Sequence, residues 1–255
     1  YDEEKGLDGL DPHMAEYYRN HPDHLELDLQ IRKEIFPNRM KDKQKHWREF
    51  VLTEAWAHAM GAVWPESIKD APEIADFPKP GRGGKKPPQL KMKSPEKTSR
   101  LIKKMAHQFG STLVGITKLN PDWVYSYPMR NRGLPTDQPL DIPKHWQYAI
   151  VVGTPMSWDA MYANPNYGAS EDSYAKSRIV AYRLAEFIRQ LGYPARPNTP
   201  GTEYDLLVPP VAIDAGLGEV SRPGFCITPE VGSNLRLAVV TTNLPMKIDK
   251  PIKFG

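Results

Sequence analysis

Between Ala215 and Pro245 the chain reads Ala-Gly-Leu-Gly-Glu-Val-Ser-Arg-Pro-Gly-Phe-Cys-Ile-Thr-Pro-Glu-Val-Gly-Ser-Asn-Leu-Arg-Leu-Ala-Val-Val-Thr-Thr-Asn-Leu-Pro. Glycines, an acid, two arginines and a Thr-Pro-Glu turn stand directly before an apolar run. Glycine lets a backbone come close to a neighbour because it has no Cβ. Such a segment is a loop built for close approach, followed by a strand over Leu235–Thr241. Along that strand Leu235, Leu237 and Val239 share one face, and Arg236, Ala238 and Val240 share the other. A guanidinium among such neighbours needs a carboxylate, a phosphate or a phenolate, because an unpaired buried charge is costly.

The rest of the chain supplies layers for that strand to join. Leu27–Phe36 and Lys43–Trp64 carry apolar residues at helical spacing. Residues 71–94 form a Pro/Gly/Lys linker. Its Lys79-Pro-Gly-Arg-Gly-Gly-Lys-Lys-Pro-Pro run is not a phosphate loop, since Lys79 stands where the first Walker glycine is needed. A helix begins after Ser94, a good N-cap followed by Pro95 and Glu96. Its apolar face is Ile102, Met105 and Phe109, and Gly110 ends it. Thr112–Thr117 and Tyr148–Thr154 read as short apolar strands, the second buried on both faces. They are separated by a loop at 120–145 rich in Pro, Tyr and Arg.

The longest helix spans about Glu171–Leu191, with Gly192 as its cap. Its two adjacent stripes, Ala175, Ile179, Tyr182, Ala185, Ile188 and Val180, Leu184, Phe187, Leu191, call for burial against a sheet. Pro209–Ala215 adds a turn or two of helix. The expected fold class is α+β with long ordered loops. Proline, at 26 of 255 residues, runs at about twice ordinary usage and fits such loops.

Composition excludes several functions. A net charge of +3 is too small a bias to argue for nucleic acid. The seven histidines form no ligand-spaced pair, so zinc is not expected. No run of about 18 apolar residues predicts a membrane-spanning helix. The single cysteine, Cys226, can form no internal disulfide and cannot hold an iron–sulfur cluster, which typically needs four thiolates. The start, Tyr1-Asp-Glu-Glu-Lys, has no initiator Met and no signal-like apolar region, so a removed leader or a cut chain is expected.

From about Ser94 onward the chain resembles the cobalamin-dependent reductive dehalogenases. The likeness rests on Gly110-Ser-Thr-Leu-Val-Gly-Ile, Tyr148-Ala-Ile-Val-Val, the Tyr174 helix, Gly216-Leu-Gly-Glu-Val-Ser-Arg and Ile227-Thr-Pro-Glu-Val-Gly, in that order. It implies a nitroreductase-like cobalamin-binding core at 94–255, preceded by an N-terminal helical extension and linker at 1–93. The corrinoid is implied to be base-off. In agreement, Asp11-Pro-His-Met-Ala-Glu fails the Asp-x-His-x-x-Gly pattern at Glu16. Cofactor contacts are expected at Gly216, Gly218, Glu219, Ser221, Arg222, Thr228 and Pro229, with pairing of Arg222 and Glu219 inside the block as the alternative.

The resemblance also implies a tyrosine proton donor beside a basic residue. Tyr174 is the candidate donor, with Tyr167 and Tyr182 as rivals. Arg236 is its candidate partner, a structural ion pair with Glu219 or Glu230 being the alternative. Asn198 either lines the substrate pocket or shapes a turn between two prolines. Trp158, Tyr162 and Phe225 wall an apolar pocket for a small halogenated substrate or serve as loop packing. Family members continue into a ferredoxin-like segment with two iron–sulfur clusters; this chain stops at Lys250-Pro-Ile-Lys-Phe-Gly255, about where that segment should begin. Further implications are a membrane anchor subunit, a homodimer surface, and a place on the outer face of the cytoplasmic membrane after export by a twin-arginine leader. Two other readings stand beside this one: an epoxyqueuosine reductase-like enzyme and a non-catalytic corrinoid-binding protein.

Overall fold

The computed structural model describes residues 6–45, 89–127, 142–162, 168–200 and 204–255. The helical pattern expected past residue 45, the Pro/Gly/Lys run at 79–88 and Tyr167 lie outside the described residues.

Two helices open the chain, α1 (Pro12–Asn20) and α2 (Pro22–Lys45). Asp11 caps α1: its carboxylate accepts from the His13 amide at 3.0 Å. Next comes α3 (Pro95–Gln108), capped by Ser94, whose hydroxyl accepts from the Lys97 amide. The chain leaves α3 through Gly110 at φ 112°, a conformation open to glycine. β1 (Leu113–Lys118), β2 (Tyr148–Pro155), the short α4 (Trp158–Tyr162) and the long α5 (Gly168–Gln190) follow. β3 (Ala195–Asn198), α6 (Val208–Asp214), the hairpin strands β4 (Glu219–Val220) and β5 (Cys226–Ile227), and β6 (Leu235–Thr242) complete the order.

The main sheet has the order β1-β2-β6-β3 and is antiparallel at every pair. Helix and sheet are thus mixed, as the apolar pattern requires. In the β2–β6 register Ile150 faces Val240, Val152 faces Ala238 and Thr154 faces Arg236, so these six share one sheet face. On that face Val180, Ala181, Leu184, Ala185 and Ile188 of α5, with Ile102 and Ala106 of α3, close the larger core. The opposite face carries Ala149, Val151, Val239 and Leu235 against Val208, Val211 and Ala212 of α6. Each large apolar side chain buried here contributes about 1.5–3 kcal/mol. Burial of both faces explains why β2 reads as an unbroken apolar run.

β3 carries no apolar alternation and was not expected. Pro197 cannot donate to a ladder, and the strand sits at the sheet edge, where proline is tolerated. The opposite edge, β1, is covered by the C-terminal segment. The Ile116 amide donates to the Asp249 carboxylate at 2.8 Å, and the Asp249 amide donates to the Ile116 carbonyl at 2.8 Å. Lys103 holds the other Asp249 oxygen at 2.7 Å. No helix among the described residues is long and apolar enough to cross a membrane.

Candidate functional site

α5 starts where the apolar rung between β2 and β6 runs out. Ser170, Tyr174 and Arg178 follow one another at four-residue steps, so one helix face carries them in line. Arg236 reaches up from β6 into that line. Its Nη2 donates to the Ser170 hydroxyl at 2.7 Å, and Nη1 donates to the Leu235 carbonyl at 3.4 Å. The guanidinium carbon lies 4.9 Å from the centre of the Tyr174 ring. That is a cation–π stack, and it is how the structure joins the two residues expected to work together. The alternative ion pair is not formed: Glu219 instead accepts from the Phe254 and Gly255 amides at 3.1 and 3.2 Å. Among the described residues Arg236 has no carboxylate partner.

A second phenol belongs to this neighbourhood. Tyr204 donates its hydroxyl to the Leu237 carbonyl, next to Arg236, at 2.8 Å. Burial pushes the Tyr204 phenol far above its ordinary value; Tyr174 adds to that, while Arg178 and Arg236 oppose it. Tyr204 therefore stays protonated through the working range. Arg178 donates from Nε to the Pro200 carbonyl at 2.7 Å and ties the following loop to α5. Neither Tyr204 nor Arg178 was expected from the sequence. The four-residue step from Tyr174 was an available signal for Arg178; Tyr204 lies in a polar stretch with no periodicity.

The other expected site residues divide. Asn198 is fully buried and its amide is committed: the Asp205 amide donates to its oxygen at 3.0 Å, and its nitrogen donates to the Arg196 carbonyl at 3.3 Å. These bonds tie Asn198 to its own strand and to Asp205. Beneath it Arg196 and the fully buried Asp205 form an ion pair at 3.6 Å, with Arg196 over the Trp146 ring. Trp158 and Tyr162 sit on α4, 60% and 85% exposed, and Phe225 lies in the β4–β5 hairpin, also 60% exposed. The structure does not gather these three into one wall, since the hairpin packs with α6, on the other side of the sheet from α5.

The glycine block has mostly an internal task. A Cβ on Gly216 would stand 2.3 Å from the Lys250 carbonyl oxygen, and one on Gly218 would stand 2.0 Å from that of Ile227. Their bare sides admit the chain's own backbone. Thr228 closes its own turn with Gly232 and Val231, and Ser221 donates to the Phe225 carbonyl. Open space exists instead at Gly224 and Gly232, where an added Cβ would meet nothing within 4 Å. Arg222, Pro229 and Phe225 are exposed beside them. Cys226 is buried, and burial raises its thiol to about 11. It is expected to resist iodoacetamide at pH 8 in the folded protein and to react after unfolding, as thiol titration with and without denaturant would show.

No family model matches the chain. Solved structures do. The catabolic reductive dehalogenase NpRdhA aligns with a TM-score of 0.62 at 25% identity, over 78% of this chain and 28% of that one. A reductive dehalogenase structure described with a mechanism for B12-dependent dehalogenation aligns at 0.59 and 27%, over 74% and 26%. The chain is thus a reductive dehalogenase-like protein. It is similar in particular to the tetrachloroethene reductive dehalogenase of Sulfurospirillum multivorans, 35% identical over 188 residues, which are 63% of this chain and 37% of that protein. The enzyme of the same name from Dehalobacter restrictus is 34% identical over 203 residues, 66% and 36% of the two chains. This chain therefore spans a little over a third of the length of those relatives. An epoxyqueuosine reductase from Bacillus subtilis aligns at 17% identity with a TM-score of 0.43, too distant to carry an argument.

Proposed function

We propose that this chain is the corrinoid-binding core of a reductive dehalogenase that removes halide from a small organohalide. The balanced reaction takes two electrons and one proton, replaces a carbon–halogen bond by a carbon–hydrogen bond and releases halide. The observation that carries the reading is the Arg236 guanidinium stacked on the Tyr174 ring, in a chain similar to enzymes named for this chemistry. Tyr174 is the proton donor in this reading, and the Arg236 charge beside it faces the negative charge left on the phenol. Tyr204, held protonated and bonded to Leu237, is not the donor. A corrinoid, when bound, would supply the reducing electrons, and Arg222, Gly224, Phe225, Pro229 and Gly232 are the residues that would hold it. Tyr182, in the middle of α5, lies two turns beyond Tyr174 and is left to packing.

The finer parts of the reading follow the likeness: a nitroreductase-like core, a base-off corrinoid, and two iron–sulfur clusters held by cysteines other than Cys226. A membrane anchor subunit, a homodimer and a site outside the cytoplasmic membrane after twin-arginine export belong to the same proposal. The test is halide release from chlorinated ethenes, ethanes and phenols by the full-length protein with reduced corrinoid. The expected result is turnover of at least one class. Corrinoid binding without turnover on any class would favour the carrier reading, and tight binding of tRNA would favour the epoxyqueuosine one.

A further inference from the structure

An arginine side chain has many rotamers, and something must choose the one that lays Arg236 on the Tyr174 ring. Among the described residues no carboxylate does so. One of its hydrogen bonds, at 3.4 Å, goes to the carbonyl of its own neighbour Leu235 and so ties it only to its own strand. The other, at 2.7 Å, goes to the Ser170 hydroxyl on α5. Ser170 stands four residues before Tyr174, so anchor and ring share one face of one rigid helix.

That hydroxyl is itself oriented. A serine inside a helix commonly turns back to the carbonyl four residues earlier, and Ser173 and Ser177 do so toward Ala169 and Ser173. Ser170 instead donates to the Met156 sulfur at 3.8 Å, which leaves its lone pairs for the guanidinium. Met156 is fixed just past the β2–β6 ladder. Its amide donates to the Asn234 carbonyl at 3.2 Å, and the Asn234 side-chain nitrogen donates to the Met156 carbonyl at 3.2 Å. The path from Met156 through Ser170 to Arg236 therefore joins the end of β2, the first turn of α5 and β6, and it ends on the Tyr174 ring. We propose that Ser170 is a positioning residue: its hydroxyl, aimed by Met156, holds the Arg236 guanidinium over the Tyr174 ring. Its bearing on rate rests on the dehalogenase reading, in which Tyr174 gives the proton and the guanidinium faces the charge left behind.

The test is a pair of variants of the full-length, cofactor-loaded protein, each examined by crystallography and by halide release. In Ser170→Ala the guanidinium is expected to leave the ring. Its kcat is expected to fall about tenfold, the worth of one hydrogen bond to a charged group, with KM and corrinoid content unchanged. Ser170→Thr keeps the hydroxyl and is expected to restore both the placement and the rate. Thermal unfolding checks that both variants fold. A guanidinium that stays on the ring without the hydroxyl overturns the proposal, whatever the rate. So does a displaced guanidinium with undiminished kcat, or a Ser170→Thr variant that regains the placement but not the rate. If the parent itself turns over no organohalide, the enzymatic reading falls, and the crystals alone decide whether Ser170 holds Arg236.

Discussion

Tyr174→Phe in the full-length, cofactor-loaded protein is expected to lower halide release by a factor of about 10² to 10⁴, the usual contribution of a positioned general acid. The substitution keeps the ring on which Arg236 stacks at 4.9 Å and removes only the hydroxyl. Corrinoid content, read from the visible spectrum, should therefore stay at the parent level, and so should thermal stability. Loss of rate with loss of corrinoid would point to a binding defect instead. A variant that keeps both its corrinoid and its rate would take Tyr174 out of the chemistry. The neighbouring phenol is not a ready substitute, because Tyr204 is committed to the Leu237 carbonyl and held protonated by burial.

The second large effect is structural. Gly218→Ala would put a methyl group 2.0 Å from the Ile227 carbonyl oxygen, a backbone atom that cannot step aside without opening the β4–β5 hairpin. Forced overpacking of this kind costs about 1–3 kcal/mol, and a backbone clash belongs at or above the top of that range. Gly224→Ala is the matched comparison. Its added Cβ meets nothing within 4 Å, so only the positive φ of 86° is penalised, at about 1 kcal/mol. Urea unfolding of the two variants should show Gly218→Ala with clearly the lower midpoint. Equal midpoints would mean that the hairpin yields freely and that the contact is unimportant.

Much of this fold is legible in the sequence because its signals are local. Ser94-Pro95-Glu96 marks a helix start by capping chemistry alone, and the capping bond is there. The apolar run at Tyr148 predicts a strand buried on both faces and the run at Leu235 a further strand, and β2 and β6 are the two central strands. The placing of Arg236 opposite the face of Leu235, Leu237 and Val239 follows from simple alternation and puts it under α5.

What stayed hidden depends on contacts distant in sequence. β3 has Arg196, Pro197 and Asn198, three residues that rarely signal a strand, and it exists because β6 offers an edge and Asp205 neutralises Arg196. Tyr204 joins the site only because Asn198 and Arg178 fold its loop back onto the sheet. With Gly216 and Gly218 the need for a close neighbour was readable, but the identity of that neighbour was not. It is the carbonyl of Lys250 in one case and of Ile227 in the other.

The side chains of Val240, Ala238 and Arg236 hang from one strand on one side, so interior and proposed chamber are threaded on a single string. Sliding β6 by one position against β2 would swap its sides, sending the cation into the α6 layer and Leu235 and Leu237 toward Tyr174. The chamber thus has no adjustment of its own. Whatever loosens the packing of Val240 or Ala238 misaims the guanidinium too, and the activity proposed above would become a gauge of how faithfully the two strands have been matched.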